Sequence, residues 1–285
     1  MTPTLVRQHL PHAGATPRVD LCARARDWSE IQERMLVPLY EAVYERLDVG
    51  TGTRLLGLGC GSGLALVLAA SRGAAVTGVE SSAPERLDLA RQRLLPEAWG
   101  TRARVGTRLI DGSPRDTSDA GAPPYTLVTA FEPIGCLAGD SEGLGEALAA
   151  AVPLAGRGAP VVLAGWGPPE RCATSSVLRV ATKLADPLRS TGSWRPALRD
   201  DLEEVAQRAG LRPDGSGRVA CPFGYADVDS AVRGLLSTGL FDAAISATDQ
   251  AQVDKEVTEA LHPHQRQDGT VWMPNVFRYL IARVP

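Results

Sequence analysis

The sequence predicts an α/β protein whose mostly parallel sheet carries helices on both faces. Between residues 53 and 164, short apolar stretches alternate with stretches of helical period, the pattern of consecutive strand–helix units. The first apolar stretch runs into the glycine-rich turn Gly59-Cys60-Gly61-Ser62-Gly63, and the second ends on an acid, Glu80.

Taken in order, residues 1–26 contain Pro3, Pro11 and Pro17 and read as a loose arm or a lid over a pocket. From Asp27 to Leu47, Trp28, Ile31, Met35, Leu39, Val43 and Leu47 recur at spacings near three and four, which predicts a helix. Strands are expected at Thr53–Leu58, Ala75–Glu80, Arg104–Ile110, Tyr125–Phe131 and Pro160–Ala164. Helices are expected at Gly63–Ser71, at Pro84–Leu95 with proline in its first turn, and at Gly143–Val152. The last hundred residues change character. Leu198–Ala209 reads as a helix with Gly210 just past its end, and Arg218–Pro222 and Val271–Arg283 as strands. Helical stretches at Val228–Thr238 and Gln250–His262 lie between those strands. With no self-sufficient unit near the C-terminus, residues 27–285 are expected to form one elaborated domain with a helical insertion at about 223–265.

The 285 residues, 44% hydrophobic and 22% charged, are enough to bury a large core. A net charge of −3 without a basic stripe argues against a nucleic-acid partner. No apolar run reaches membrane-spanning length, and the first residues lack a secretory pattern. The five cysteines are odd in number and contain no CxxC pair, so reduced thiols in a cytoplasmic protein are the expectation.

Chemistry concentrates at the glycine turn. Glycines there let the chain turn tightly and let a ligand approach without a Cβ in the way, while the following helix offers unpaired N–H groups. Glu80, 17 positions after Gly63, is placed to accept both hydrogen bonds of a ribose diol. The spacing does not fit GxGxxG, and no Gly-Lys-Ser/Thr follows to make a phosphate loop.

The segment Arg54 to Gly63 resembles motif I of the class I methyltransferases that use S-adenosylmethionine (SAM). Val76-Thr-Gly-Val-Glu80 is similar to that family's second motif, and Leu109-Ile-Asp-Gly112 to the segment after its third strand. Thr129-Ala-Phe-Glu-Pro-Ile134 and Val161 to Pro169 resemble the strand ends that line the methyl-donor channel in the UbiE-like small-molecule branch. The resemblance implies a Rossmann-like, mostly parallel seven-stranded sheet with an antiparallel C-terminal strand, SAM as cofactor, and a small-molecule acceptor. It implies cofactor contacts at Gly59, Cys60, Gly61, Gly63, Glu80, Ser81, Asp111, Gly112 and Phe131. Glu80 would take the ribose and Asp111 the adenine amino group.

Motif I departs from the family at Gly57, where relatives carry an acid that accepts a hydrogen bond from the donor's ammonium. Losing such a bond costs about 1.5–3 kcal/mol, roughly ten- to a hundredfold in affinity. An acid restored at position 57 would then tighten SAM binding. Glu132 is a candidate general base or an electrostatic partner for the cationic donor, and a solvated loop acid otherwise. His264, with His262, is a second candidate base, although a surface turn is the commoner setting for such a pair. Phe131, Trp166, Tyr225 and Trp272 either line the pocket or pack in the core. With no third ligand in reach of the histidines, no metal site is expected. Two functions follow: methyl transfer to a small molecule, such as a secondary metabolite, or a scaffold that retains SAM or another ligand and catalyses a cyclisation or rearrangement.

Overall fold

The structure is a computed structural model and describes residues 20–95, 106–118, 121–135, 141, 143–185 and 201–285. Residues 1–19, most of the expected N-terminal arm, lie outside that set.

The described chain opens on helix rather than on a loose arm. Asp20 caps α1 (Leu21–Asp27) by accepting a hydrogen bond from the Ala23 amide at 3.0 Å. Helicity continues through a π-helical turn at Trp28–Gln32 and a 3-10 turn at Glu33–Leu36 into α2 (Val37–Arg46). The Asp27 start read from periodicity is therefore six residues late. Apolar spacing shows where a helix buries a face, but Leu21 is half exposed and Ala25 is the only buried residue of α1.

The alternating region then forms β1 (Arg54–Leu58), α3 (Leu64–Ser71), β2 (Ala75–Glu80), α4 (Pro84–Leu94), β3 (Thr107–Asp111), β4 (Leu127–Ile134), α5 (Leu144–Ala151) and β5 (Pro160–Trp166). Helix α6 (Thr174–Ala185) follows, then α7 (Asp201–Arg208), β6 (Arg212–Ala220) and β7 (Phe223–Tyr225). Helices α8 (Val228–Leu236), α9 (Asp242–Ala247) and α10 (Gln250–Leu261) precede β8 (Val271–Met273) and β9 (Val276–Arg283).

The main sheet has seven strands in the order β3-β2-β1-β4-β5-β9-β6, with β9 antiparallel to both neighbours and the first five strands parallel. That is the expected architecture. The expected single strand Val271–Arg283 divides at Pro274-Asn275. Its first part, β8, leaves the main sheet and pairs with β7 in a two-stranded ribbon that brackets α8 to α10.

Side chains alternate across the strands, so adjacent residues serve different cores. Leu55, Val76, Leu127, Val162 and Ile281 face one cluster with α2, α3, α6, α8 and α10. Leu56, Val79, Val128, Leu163 and Leu280 face the other with α5 and α7. The helical insertion thus adds to an existing core and builds none of its own.

Candidate functional site

The ligand position in open parallel sheets is the crevice at the carboxyl ends of the strands. Here the glycine turn forms its floor. Gly59, Gly61 and Gly63 all have positive φ, at +57°, +54° and +82°, a region that side chains with a Cβ avoid. The Cys60 amide donates to the Val79 carbonyl at 3.1 Å, tying the turn to β2. A Cβ on Gly63 would lie 2.9 Å from that of Ala90, so glycine also lets α3 pack on α4.

Two cavities lie on this floor, and both are lined by Leu58 and Gly59. The outer one is an open cleft of about 740 Å³ bounded by Ser81, Gly112, Ser113 and the first turns of α5. The inner one is narrow, with free space of about 30 Å³, room for a water molecule. Cys60, Gly61, Glu80, Arg86, Phe131 and Glu132 line it, and Trp28, Glu33 and Tyr40 close it from the N-terminal helix.

The structure therefore brings most of the predicted residues together and gives several of them a different task. Glu80 is buried, and its carboxylate accepts hydrogen bonds from the Gly61 amide at 3.0 Å and from the Ser82 amide and hydroxyl at 3.0 and 2.8 Å. It holds the glycine turn as well as facing the cavity. Ser81 and Gly112 line the outer cleft, whereas Asp111 is exposed at the end of β3 and does not line it. Phe131 lines the inner cavity but is packed against Tyr40 and Tyr44, with ring centroids 4.8 and 5.7 Å away. Burial pushes the Cys60 thiol up to about 12, so it stays protonated and is no nucleophile. Glu132 points over the turn: a Cβ on Gly59 would lie 3.6 Å from its Oε2.

His264 is not at this site. It lines a separate surface cavity with Arg171, Ser175, Ser176 and Arg179, and its Nε2 lies 3.4 Å from the Ser176 hydroxyl. The 3-10 turn after α10 (His262–His264) carries it to the first turns of α6. Partial burial lowers its pKa, which disfavours the charged ring. Trp166 packs against Phe277 and Phe223 at 4.6 and 6.0 Å, and Trp272 lies under the Arg266 guanidinium. Tyr225 is buried and donates to Gln32 Oε1 at 2.8 Å, joining the ribbon to the N-terminal helix.

Position 57 is crowded from α3. A Cβ there would lie 3.0 Å from Leu66 Cδ2, so a side chain at this position would have to push the tip of Leu66 aside.

The sequence reading missed Glu33, which is 3% exposed. Its carboxylate accepts from the Ser62 hydroxyl, from the Leu64 amide at 3.4 Å and from Arg93 Nη1 at 2.9 Å. Arg93 also donates to Ser62 Oγ at 2.7 Å and to the Ser29 carbonyl at 3.0 Å. This network pins the N-terminal helix onto the glycine turn and covers the N-terminus of α3. Burial outweighs the guanidinium and raises the Glu33 pKa. The π-helical turn, a feature common at functional sites, presents Trp28 and Glu33 to the turn together.

Among the described residues, no cluster of His, Cys, Asp and Glu could hold a metal ion, and no helix is long and apolar enough to cross a membrane.

Sheet order, glycine turn and strand-end crevice together define the class I SAM-dependent methyltransferase fold, and solved structures share it. A candidate methyltransferase of Bacillus halodurans C-125 superimposes with a TM-score of 0.53 at 12% identity, over 86% of this chain and 98% of its own. YjhP of Escherichia coli gives 0.52 at 18% identity, over 92% and 99%. A SAM-dependent methyltransferase of Thiobacillus denitrificans, determined with S-adenosylhomocysteine, gives 0.51 at 17% identity, over 94% and 99%. At these identities the likeness is one of fold. No protein-family model matches the sequence, and no curated protein matches it.

Proposed function

We propose that this chain is a SAM-dependent methyltransferase acting on a small-molecule acceptor, such as a secondary metabolite, in the cytoplasm. The observation that carries this reading is the pair of cavities on the glycine turn, an acid-lined inner one and an open outer cleft that share Leu58 and Gly59. The residues suit the cofactor. Glycines whose Cβ positions are crowded by Glu33, Trp28 and Glu132 form its cradle, and three carboxylates, Glu33, Glu80 and Glu132, complement a cationic sulfonium and ammonium. Bound SAM would supply an electrophilic methyl group. Ser81 and Gly112, with Asp111 nearby, would hold the nucleoside end in the outer cleft. Gly59, Cys60, Gly61 and Gly63 would present backbone, and Glu80 would fix the turn while facing the ribose. Glu132, at the strand end above Gly59, would hold the cationic centre and accept a proton from the acceptor.

One observation favours a second reading. With glycine in the place of the motif I acid, the site lacks the usual partner for the donor's ammonium. A scaffold that retains SAM or another ligand and catalyses a cyclisation or rearrangement fits that loss.

Calorimetry with SAM and S-adenosylhomocysteine tests both. We expect binding at about micromolar affinity. In Glu132→Gln, SAM is expected to weaken by about tenfold while S-adenosylhomocysteine, whose sulfur is uncharged, changes little, a charge-assisted contact being lost. Absence of binding by either compound would remove the cofactor from this protein. Binding without methylated product across a panel of phenol, amine and carbon-acid acceptors would support the second reading.

A further inference from the structure

The surface cavity beside His264 lies past the carboxyl end of β5, two strands across the sheet from the glycine turn. It is an open hollow of about 640 Å³, within the range of small-molecule sites. Among the described residues it shares no lining with the inner cavity or the outer cleft. Its walls are the 3-10 turn Pro169–Arg171, the first turns of α6, His264 and the turn between β8 and β9. Hydrogen bonds tie these walls to one another. The Gly167 amide donates to the Val276 carbonyl at 2.8 Å, the Ala173 amide to the Pro274 carbonyl at 2.9 Å, and the Thr174 amide to Asn275 Oδ1 at 3.1 Å. The hollow is therefore preformed, and a ligand enters without any movement of the chain.

The start of α6 has no amides to spare. Those of Ser175 and Ser176 bond the Cys172 and Ala173 carbonyls, so recognition falls to side chains. Arg171 and Arg179 stand exposed around the hollow, and neither is paired with an acid among the described residues. The Ser176 hydroxyl is committed, donating to the Ala173 carbonyl at 2.9 Å and lying 3.4 Å from His264 Nε2. The Ser175 hydroxyl has no such partner among the described residues. Glu170 brings one carboxylate to the lining, so two guanidiniums against one acid leave a single net positive charge. Each guanidinium is a fork of N–H donors that matches a carboxylate. Pro169, Ala173, Pro274 and Val276 make much of the rest apolar. A bare anion would leave that apolar wall to water, and a neutral apolar molecule would leave both guanidiniums unused.

We propose that this hollow is a second ligand site, which takes a small organic monoanion made of an apolar body and one carboxylate. Arg171 and Arg179 hold the carboxylate, the Ser175 hydroxyl adds a donor, and the proline-lined wall covers the body. The site does not depend on methyl transfer, and its ligand has no need to reach the glycine turn.

Ligand binding is read from the His264 ring signals of the full ¹⁵N-labelled chain, identified by their loss in His264→Gln. The probes are trans-cinnamate, cinnamyl alcohol, which keeps the body but not the charge, and acetate, which keeps the charge but not the body. Cinnamate is expected to shift the signals in a saturable way at about millimolar affinity, and the other two at least about tenfold more weakly. Arg171→Gln and Arg179→Gln, both at exposed positions, are each expected to weaken cinnamate by about tenfold. Glu170→Gln removes a repulsion and is expected to tighten it by about threefold. The same response with S-adenosylhomocysteine present marks the hollow as separate from the cofactor site. Loss of the response on adding S-adenosylhomocysteine would overturn a second site. No saturable shift with cinnamate, an equal response to cinnamyl alcohol or acetate, or indifference to both arginine substitutions would overturn the carboxylate assignment. If S-adenosylhomocysteine fails to bind while cinnamate does, the hollow stands and the methyltransferase reading fails.

Discussion

At position 57 a missing side chain meets a present one. A Leu66 methyl group lies 3.0 Å from where a Cβ on β1 would stand, and Leu55 lies behind it. Gly57→Asp would place a carboxylate among these apolar groups and push Leu66 aside. We expect that substitution to cost about 2–4 kcal/mol of stability, from overpacking and an unpaired buried charge, and to leave SAM affinity no tighter. Urea unfolding followed by calorimetry measures both, and a tighter, fully stable variant would contradict this account. The glycine at position 57 was legible in the sequence, but its contact with Leu66 was not, because that residue lies nine positions away on the facing helix. The same limit applies to Glu80. Its position at the end of β2 was readable from spacing, whereas its bonds to Gly61 and Ser82 depend on how the turn folds back. Glu33 and Trp28 left no signal that separates them from residues of an ordinary amphipathic helix. Their partners are brought close only by tertiary packing.

The helical segment from Leu21 to Leu36 behaves as a clamp, fastened on one side to the glycine turn and on the other to the insertion. Arg24 pairs with Asp242 at 2.9 Å, and Gln32 accepts from Tyr225. Glu33 makes the first attachment dependent on pH. Because burial raises its pKa, the folded state keeps the proton to higher pH than the unfolded chain does. The associated stability is present below the ordinary carboxylate value of 4.5 and is lost as pH rises through the elevated one. Denaturant midpoints of the wild type are therefore expected to fall relative to those of Glu33→Gln as pH increases from 4.5. A constant difference across the series would mean that Glu33 titrates normally. Among the elements, the parallel strands were legible because their apolar runs are short and bounded by turn residues. The β7–β8 ribbon was not, since each strand is three residues long and pairs across the whole insertion.

The sheet as a whole depends on its last strand. β9 lies between β5 and β6, and Phe277, Leu280, Ile281 and Ala282 are almost wholly buried, serving the cores on both faces. At about 1.5–3 kcal/mol for each large apolar side chain buried, its contribution is comparable with the net stability of an ordinary domain. A chain stopped after Asn275 is expected to show no cooperative thermal transition, and one that melts sharply would show that the first five strands suffice. The general architecture was readable because strand–helix alternation restricts a parallel sheet to few topologies. That β9 is inserted antiparallel came from family resemblance and not from periodicity.

This placement bears on how the protein is made. Synthesis runs from the N-terminus, yet the strand that joins β6 to the five parallel strands is the last of the described strands to leave the ribosome. Until then the free edge of β5 presents unpaired backbone groups and an apolar surface, the combination that recruits chaperones or neighbouring nascent chains. Slow decoding of the codons for β9 would prolong that exposure without changing a single residue of the product.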